Sequence, residues 1–161
     1  MTETSSATGS GGRKEQEDTE QFVTLTIEGQ LFGVPVLSVQ DVLAPQKITP
    51  IPLASEGVAG ALNLRGRIVT AIDVRRRLNL PPRGKDDECM YVVVELGAEL
   101  YSLMIDSVGE VLSLPVDRFE TPPATLDERW REVCGGVYRL DEELLVVLDV
   151  ANLITHQRVA A

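Results

Sequence analysis

Carboxylates, two thiols, one histidine and one arginine are the side chains of this chain whose type and placing could do chemistry. Asp73 and Asp149 each precede an apolar residue that opens a short helical run. Paired carboxylates can serve as acid and base, and a small hydrolase would pair Asp41 with Asp73 in a groove. Helix capping accounts for Asp73 and Asp149 together, since an aspartate ahead of a helix accepts from its first free amides. His156 is the only histidine and stands among Thr155, Gln157 and Arg158 near the C-terminus, where a solvated helix end is a simpler reading than a general base. Cys89 and Cys134 form no C-x-x-C pair and have no histidine nearby, so they read as two reduced thiols. No His, Cys and acidic residues share metal-ligand spacing, and Asp86-Asp87-Glu88 lacks the alternating ligands of a calcium loop. No catalytic residue, metal or other cofactor is expected.

Bulk properties narrow the partners. The 161 residues suit one ordinary domain or two small ones sharing a core. The net charge of −10 repels nucleic acid and anionic membranes. No apolar run reaches the roughly 20 residues of a membrane span, and the N-terminus carries no apolar signal segment. A soluble cytoplasmic protein that does not insert into the membrane is expected. Aromatic residues are only 4%, so the core must be built from Val, Leu and Ile, which favours strands.

The elements follow from pattern. Met1 to Glu20 is polar and reads as a disordered tail; Gly9 to Lys14 within it lacks the spacing of a phosphate loop. Order is expected from Gln21. Phe22–Ile27 reads as a strand, Glu28-Gly29-Gln30 as a turn, Leu31–Val36 as a second strand and Val39–Leu43 as a third element. Val58–Asp73 reads as two strands joined by a tight turn at Arg65-Gly66. A short helix over Val74–Leu78, capped by Asp73, is followed by a polar linker over Pro81–Glu88.

The second half repeats the first. Phe32 and Tyr101, like Leu43 and Leu112, stand 69 residues apart; Gly60 and Gly136, like Asp73 and Asp149, stand 76 apart. About seven extra residues therefore lie between Pro115 and Cys134, where Leu126–Val133 could form one amphipathic helix. Each copy has about five short strands and a closing helix. Such a unit closes into a small barrel, because closure removes exposed edges. The fold expected is mainly β: two intertwined five-stranded barrels over residues 21–158. Subdomain one spans roughly 30–85, and subdomain two roughly 21–29 and 89–150, with segments crossing between them.

Duplication also supplies an internal control. Residues kept in both copies, Gly60/Gly136 and Asp73/Asp149, read as structural. Asn63-Leu64-Arg65-Gly66 becomes Arg139-Leu140-Asp141-Glu142 in the second copy, so Arg65 is not needed merely to make a turn. Arginine donates several hydrogen bonds from one plane and is frequent at interaction hot spots. A surface arginine in a routine salt bridge is the plainer reading. Asp41 is acidic in both copies, with Glu110 as its counterpart, and is expected to pair with Arg65 across the groove between the barrels.

In the order Val39-Gln40-Asp41-Val42, Gly60 through Gly66, Ile68–Arg75 and Ile105–Val108, these residues resemble the CheW family of chemotaxis coupling proteins over nearly all of Gln21–His156. The resemblance implies two intertwined SH3-like barrels. It implies an adaptor that links the cytoplasmic tips of chemoreceptors (methyl-accepting chemotaxis proteins) to the regulatory domain of the histidine kinase CheA, in receptor arrays at the membrane. Its receptor-facing groove would comprise Val39, Asp41, Val42, Gly60, Asn63 and Arg65. Val39 and Val42 would touch a receptor helix, and Arg65 would supply a charged hydrogen bond. Many members of the family have Glu where this chain has the shorter Asp41. The same resemblance admits a module of another chemosensory pathway or of a larger kinase or adaptor, although the limits at Met1 and Ala161 read as those of a complete chain. A nucleic-acid-binding barrel would need a basic, aromatic stripe that this chain lacks.

Overall fold

The computed structural model describes residues 18–84 and 86–155. The segment Gly9–Lys14 and His156, each weighed above, lie outside them. Ten strands and three short helices follow in order. They are β1 (Thr19–Ile27), β2 (Gln30–Pro35), β3 (Val39–Leu43), β4 (Val58–Leu64), β5 (Arg67–Asp73), α1 (Val74–Arg77), β6 (Met90–Leu96), β7 (Glu99–Ile105), β8 (Ser107–Pro115), α2 (Glu128–Arg131), β9 (Cys134–Arg139), β10 (Leu144–Leu148) and α3 (Val150–Thr155). β1 starts ahead of the expected Gln21 because its pairing with β8 already includes Thr19 opposite Pro115.

Two five-stranded sheets result, in the orders β8-β1-β2-β10-β9 and β3-β6-β7-β5-β4. Laid one on the other, the orders match strand for strand under the duplication. Even the single parallel pair recurs, β10 with β2 and β5 with β7. Each barrel takes its first two strands from one copy of the repeat and its last three from the other. The copies have exchanged segments, and the barrels are intertwined as expected.

The expected partition at residues 30 and 89 does not follow the sheets. β2 stays with β1, because the two-residue turn Glu28-Gly29, with φ of 47° and 81°, allows no departure between them. β6 and β7, joined by an equally short turn, remain in the sheet of β3–β5. The chain crosses instead at Val36–Ser38, a single 3₁₀ turn, and at Asp106.

Each barrel has a small core of its own. In the first it is Phe22, Tyr138 and Leu145; in the second it includes Leu62, Val69, Tyr91 and Val93. The largest cluster lies between the barrels, with Leu25, Ile27 and Phe32 from one sheet and Ile72, Val92 and Leu103 from the other. Trp130 of α2 closes it, its ring edge-on to Phe32 at 5.0 Å. Separating the barrels would expose this cluster, so the fold is one cooperative unit.

The capping expectations hold. The Asp73 carboxylate accepts from the Arg76 amide, and that of Asp149 from the Asn152 amide at 3.0 Å. Behind them, the Asp73 amide donates to Gly57 O and the Asp149 amide to Val133 O, both at 2.7 Å. The second contact explains why the helix expected over Leu126–Val133 is only Glu128–Arg131. The chain must leave the helix to bring Val133 O to Asp149.

A candidate partner-binding edge

Both barrels are open between their edge strands, β3 and β4 in one and β8 and β9 in the other. The chain following each first edge strand crosses the gap and pairs briefly with the opposite edge. Thr49 exchanges two 2.8 Å hydrogen bonds with Ala61, and Glu120 exchanges two of 2.9 Å with Val137. The candidate residues cluster around the β3/β4 seam.

Arg65 and Asp41 meet there. Arg65 Nη2 donates to Asp41 Oδ2 at 2.9 Å, so the shorter acid reaches its partner. Their location differs from expectation. Asp41 is on β3 and Arg65 in the β4–β5 turn, the two margins of one sheet. The pair spans the seam of a single barrel, not the groove between the two. The chain enters this sheet at Val36–Ser38 and stays in it through β7, so β3 and β4 become the two edges of one barrel.

Val39 and Val42 share the other face of β3. Register places Val39 opposite Val94 and Val42 opposite Val92, both members of the inter-barrel core, whereas Asp41 is opposite Val93 of the second barrel's own core. Residues three apart on a regular strand face opposite ways. An irregularity at Gln40 resets the alternation and aligns the two valines. Val39 is half-buried and packs on the core, while Val42 is exposed.

Gly60 is not a surface residue. It is buried, with φ of 150°, and a Cβ on it would lie 2.3 Å from Thr49 O. Its place is under the seam-crossing segment, as its recurrence at Gly136 suggested. Asn63 is exposed, but its Oδ1 is engaged, accepting from the Gly66 amide at 2.9 Å. Ile68, opposite Asn63 and 69% exposed, was not singled out from sequence. Ile68-Val69 reads as a two-sided apolar run, and only the register turns Val69 inward and Ile68 outward. Together with Gln46, Lys47 and Thr49, Asn63 and Ile68 line a hollow of about 630 Å³ beside the seam.

The structure does not assemble the carboxylate pair of the hydrolase reading. Asp41 lies beside the hairpin tip where β5 begins and Asp73 at the far end of that seven-residue strand, roughly 20 Å away, whereas paired catalytic carboxylates stand about 5–10 Å apart. Among the described residues, no group of three or more His, Cys, Asp or Glu is placed to hold a metal ion. Cys89 and Cys134 are free, and burial pushes both thiols above their ordinary range. No helix among the described residues is long and apolar enough to cross a membrane.

Comparison with known proteins places the chain in a family and matches its fold. The family model described as the CheW-like domain matches residues 21–158. The chemotaxis protein CheW of Klebsiella aerogenes is 26% identical over 141 residues, covering 88% of this chain and 85% of that one. The chemotaxis protein CheW of Treponema pallidum is 27% identical over 139 residues, covering 84% and 82%. Among solved structures, the scaffolding protein TtCheW of Thermoanaerobacter tengcongensis superposes with a TM-score of 0.72 at 27% identity, covering 81% of this chain and 89% of that one.

Proposed function

Since the chain belongs to the CheW-like domain family, we propose that it is a non-catalytic chemotaxis scaffold that couples chemoreceptor cytoplasmic tips to the regulatory domain of the histidine kinase CheA. It would act in the cytoplasm, within receptor arrays. The receptor would dock on the β3 edge and the adjoining β4–β5 hairpin.

One observation carries the placement. The Arg65 side chain is 75% exposed, yet its head is held 2.9 Å from Asp41. An exposed ion pair adds only about 0–1 kcal/mol to stability, so little of the fold depends on it. What the pair does supply is an aimed guanidinium with further donors facing solvent. Val42 stands across the seam on β3 and Ile68 on the same hairpin, both exposed. An amphipathic helix could lay apolar residues on such an edge and a carboxylate or carbonyl on Arg65. Gly60 supports this surface from beneath, and Asn63 shapes its turn.

Arg65→Ala should weaken binding of a receptor cytoplasmic fragment roughly tenfold or more, the loss typical of a hot-spot arginine. Receptor-coupled CheA autophosphorylation should fall in parallel, with the thermal midpoint little changed. Equal coupling by a folded Arg65→Ala protein would remove the site assignment. Failure of the wild-type protein to bind receptor or kinase from its own source would remove the coupling role.

A further inference from the structure

We propose that Asn63 is a positioning residue for Arg65: by accepting the Gly66 amide it holds the β4–β5 turn in a left-handed form that aims the guanidinium at Asp41. The inference rests on the reading of Arg65 as a partner contact, and its structural half can be tested without any partner.

The turn has two central residues, Arg65 at φ 51° and Gly66 at φ 87°, between the paired residues Leu64 and Arg67. Positive φ at both centres matches the right-handed twist of a two-residue hairpin, but the first centre normally belongs to Asn, Asp or Gly. Arginine has no side-chain acceptor to support that conformation locally. Its support comes from outside the turn's centre. Asn63 Oδ1 takes the Gly66 amide at 2.9 Å, and Asp41 takes the Arg65 head at the same distance.

The second copy is the control. Asn63 is replaced there by Arg139, whose Nε donates to Glu120 at 3.0 Å instead of returning an acceptor to the turn. Neither Asp141 nor Glu142 has positive φ, and Leu140 N closes the loop on Glu143 O at 2.9 Å. The same hairpin in the same fold thus has positive φ at both turn centres where Asn precedes it and at neither where Arg does. Gly66 alone does not compel the left-handed form, because glycine is also free to adopt negative φ. Without the Asn63 acceptor, the first copy should relax toward the geometry of the second, and Arg65 should leave Asp41.

Three full-length variants, Asn63→Ala, Asn63→Asp and Arg65→Ala, test the inference. Aspartate at 63 keeps the acceptor and alanine removes it. In isotopically labelled protein, Asn63→Ala should speed exchange of the Gly66 amide about fivefold, the factor carried by one hydrogen bond of ordinary strength. It should also move the Arg65 guanidinium resonances toward those of a free arginine, and Asn63→Asp should restore both. Receptor-fragment affinity should fall for Asn63→Ala toward the value of Arg65→Ala, and recover in Asn63→Asp. Unchanged Gly66 exchange and Arg65 resonances in Asn63→Ala would overturn the proposal, as would an aspartate that restores neither. It would also fall if Asn63→Ala loosened the turn and bound normally while Arg65→Ala did not. If Arg65→Ala itself binds as wild type, the receptor reading fails while the exchange and resonance data still decide the role of Asn63 in the turn.

Discussion

Replacing Asp106 with alanine should lower unfolding stability by about 3 kcal/mol, the scale for removing one partner from a largely buried ion pair. Asp106 is the residue at which the chain passes from β7 of one barrel to β8 of the other. Its carboxylate gathers donors from both sides of that crossing. Arg75 of α1 donates through Nε at 3.1 Å and Nη2 at 2.6 Å, Arg83 through Nε at 3.0 Å, and the Glu28 amide of the β1–β2 turn at 2.8 Å. The three side chains are only 10–18% exposed. Alanine would leave two poorly hydrated guanidinium groups facing each other without the charge that holds them together. An asparagine in the same place would keep an acceptor but not the charge, so Asp106→Asn should cost less. Urea unfolding of the two variants measures both effects; a loss under about 1 kcal/mol for alanine, the scale of an exposed pair, would show that the crossing does not depend on this cluster.

The same carboxylate predicts a pH dependence of definite sign. Burial by itself would raise its pKa. Hydrogen bonds from Arg75, the Glu28 amide and Arg83 outweigh burial and hold it below the usual carboxylate range. A folded-state pKa below the unfolded one gives stability that is complete above the unfolded value, near about 4, and is lost as pH falls through the folded value. This group therefore contributes nothing to any change between about pH 8 and 5. Its contribution disappears in the acid limb below about pH 4, where the Asp106→Asn protein should show a shallower decline than wild type.

Much of the fold was legible because the chain states it twice. The offsets of 69 between Phe32 and Tyr101 and 76 between Asp73 and Asp149, each shared by a second pair, announced two similar barrels, and the caps at both aspartates followed from one rule. The exchange of strands was harder to see. Offsets reveal that two segments are alike, but not which sheet each one joins, and only the short turns at Glu28-Gly29 and before Glu99 decide that. The site was legible in residue identity more than in placement. Asp41 and Arg65 do meet, but across one barrel's seam. The irregularity at Gln40, which brings Val39 and Val42 to one face, carries no composition signal, since any residue can occupy it. Asn63 reads as a contact residue by resemblance alone, and its acceptor is occupied by the turn beside it.

Gly60 and Gly136 look equivalent in sequence, yet their replacement by alanine should have unequal effects. Both sit at φ near 150°, in a region essentially reserved for glycine, and each alanine should lose about 1–3 kcal/mol to backbone strain alone. The surroundings differ. A Cβ at Gly60 would lie 2.3 Å from Thr49 O and 2.8 Å from Thr49 C, backbone atoms fixed by the two hydrogen bonds to Ala61. A Cβ at Gly136 would meet the far end of the Phe119 ring, which is 44% exposed and can swing outward. Gly60→Ala should therefore add an overpacking cost of about 1–3 kcal/mol that Gly136→Ala largely escapes. Guanidinium unfolding should show the Gly60 variant to be the less stable by at least about 1 kcal/mol; equal losses would mean that the seam-crossing segment yields as easily as the ring. The contrast also bears on function. The segment that Gly60→Ala displaces carries Lys47 and Thr49, which line the hollow beside the seam together with Asn63 and Ile68. Any loss of receptor binding by this variant should therefore scale with its loss of stability, whereas Arg65→Ala should lose binding with stability intact.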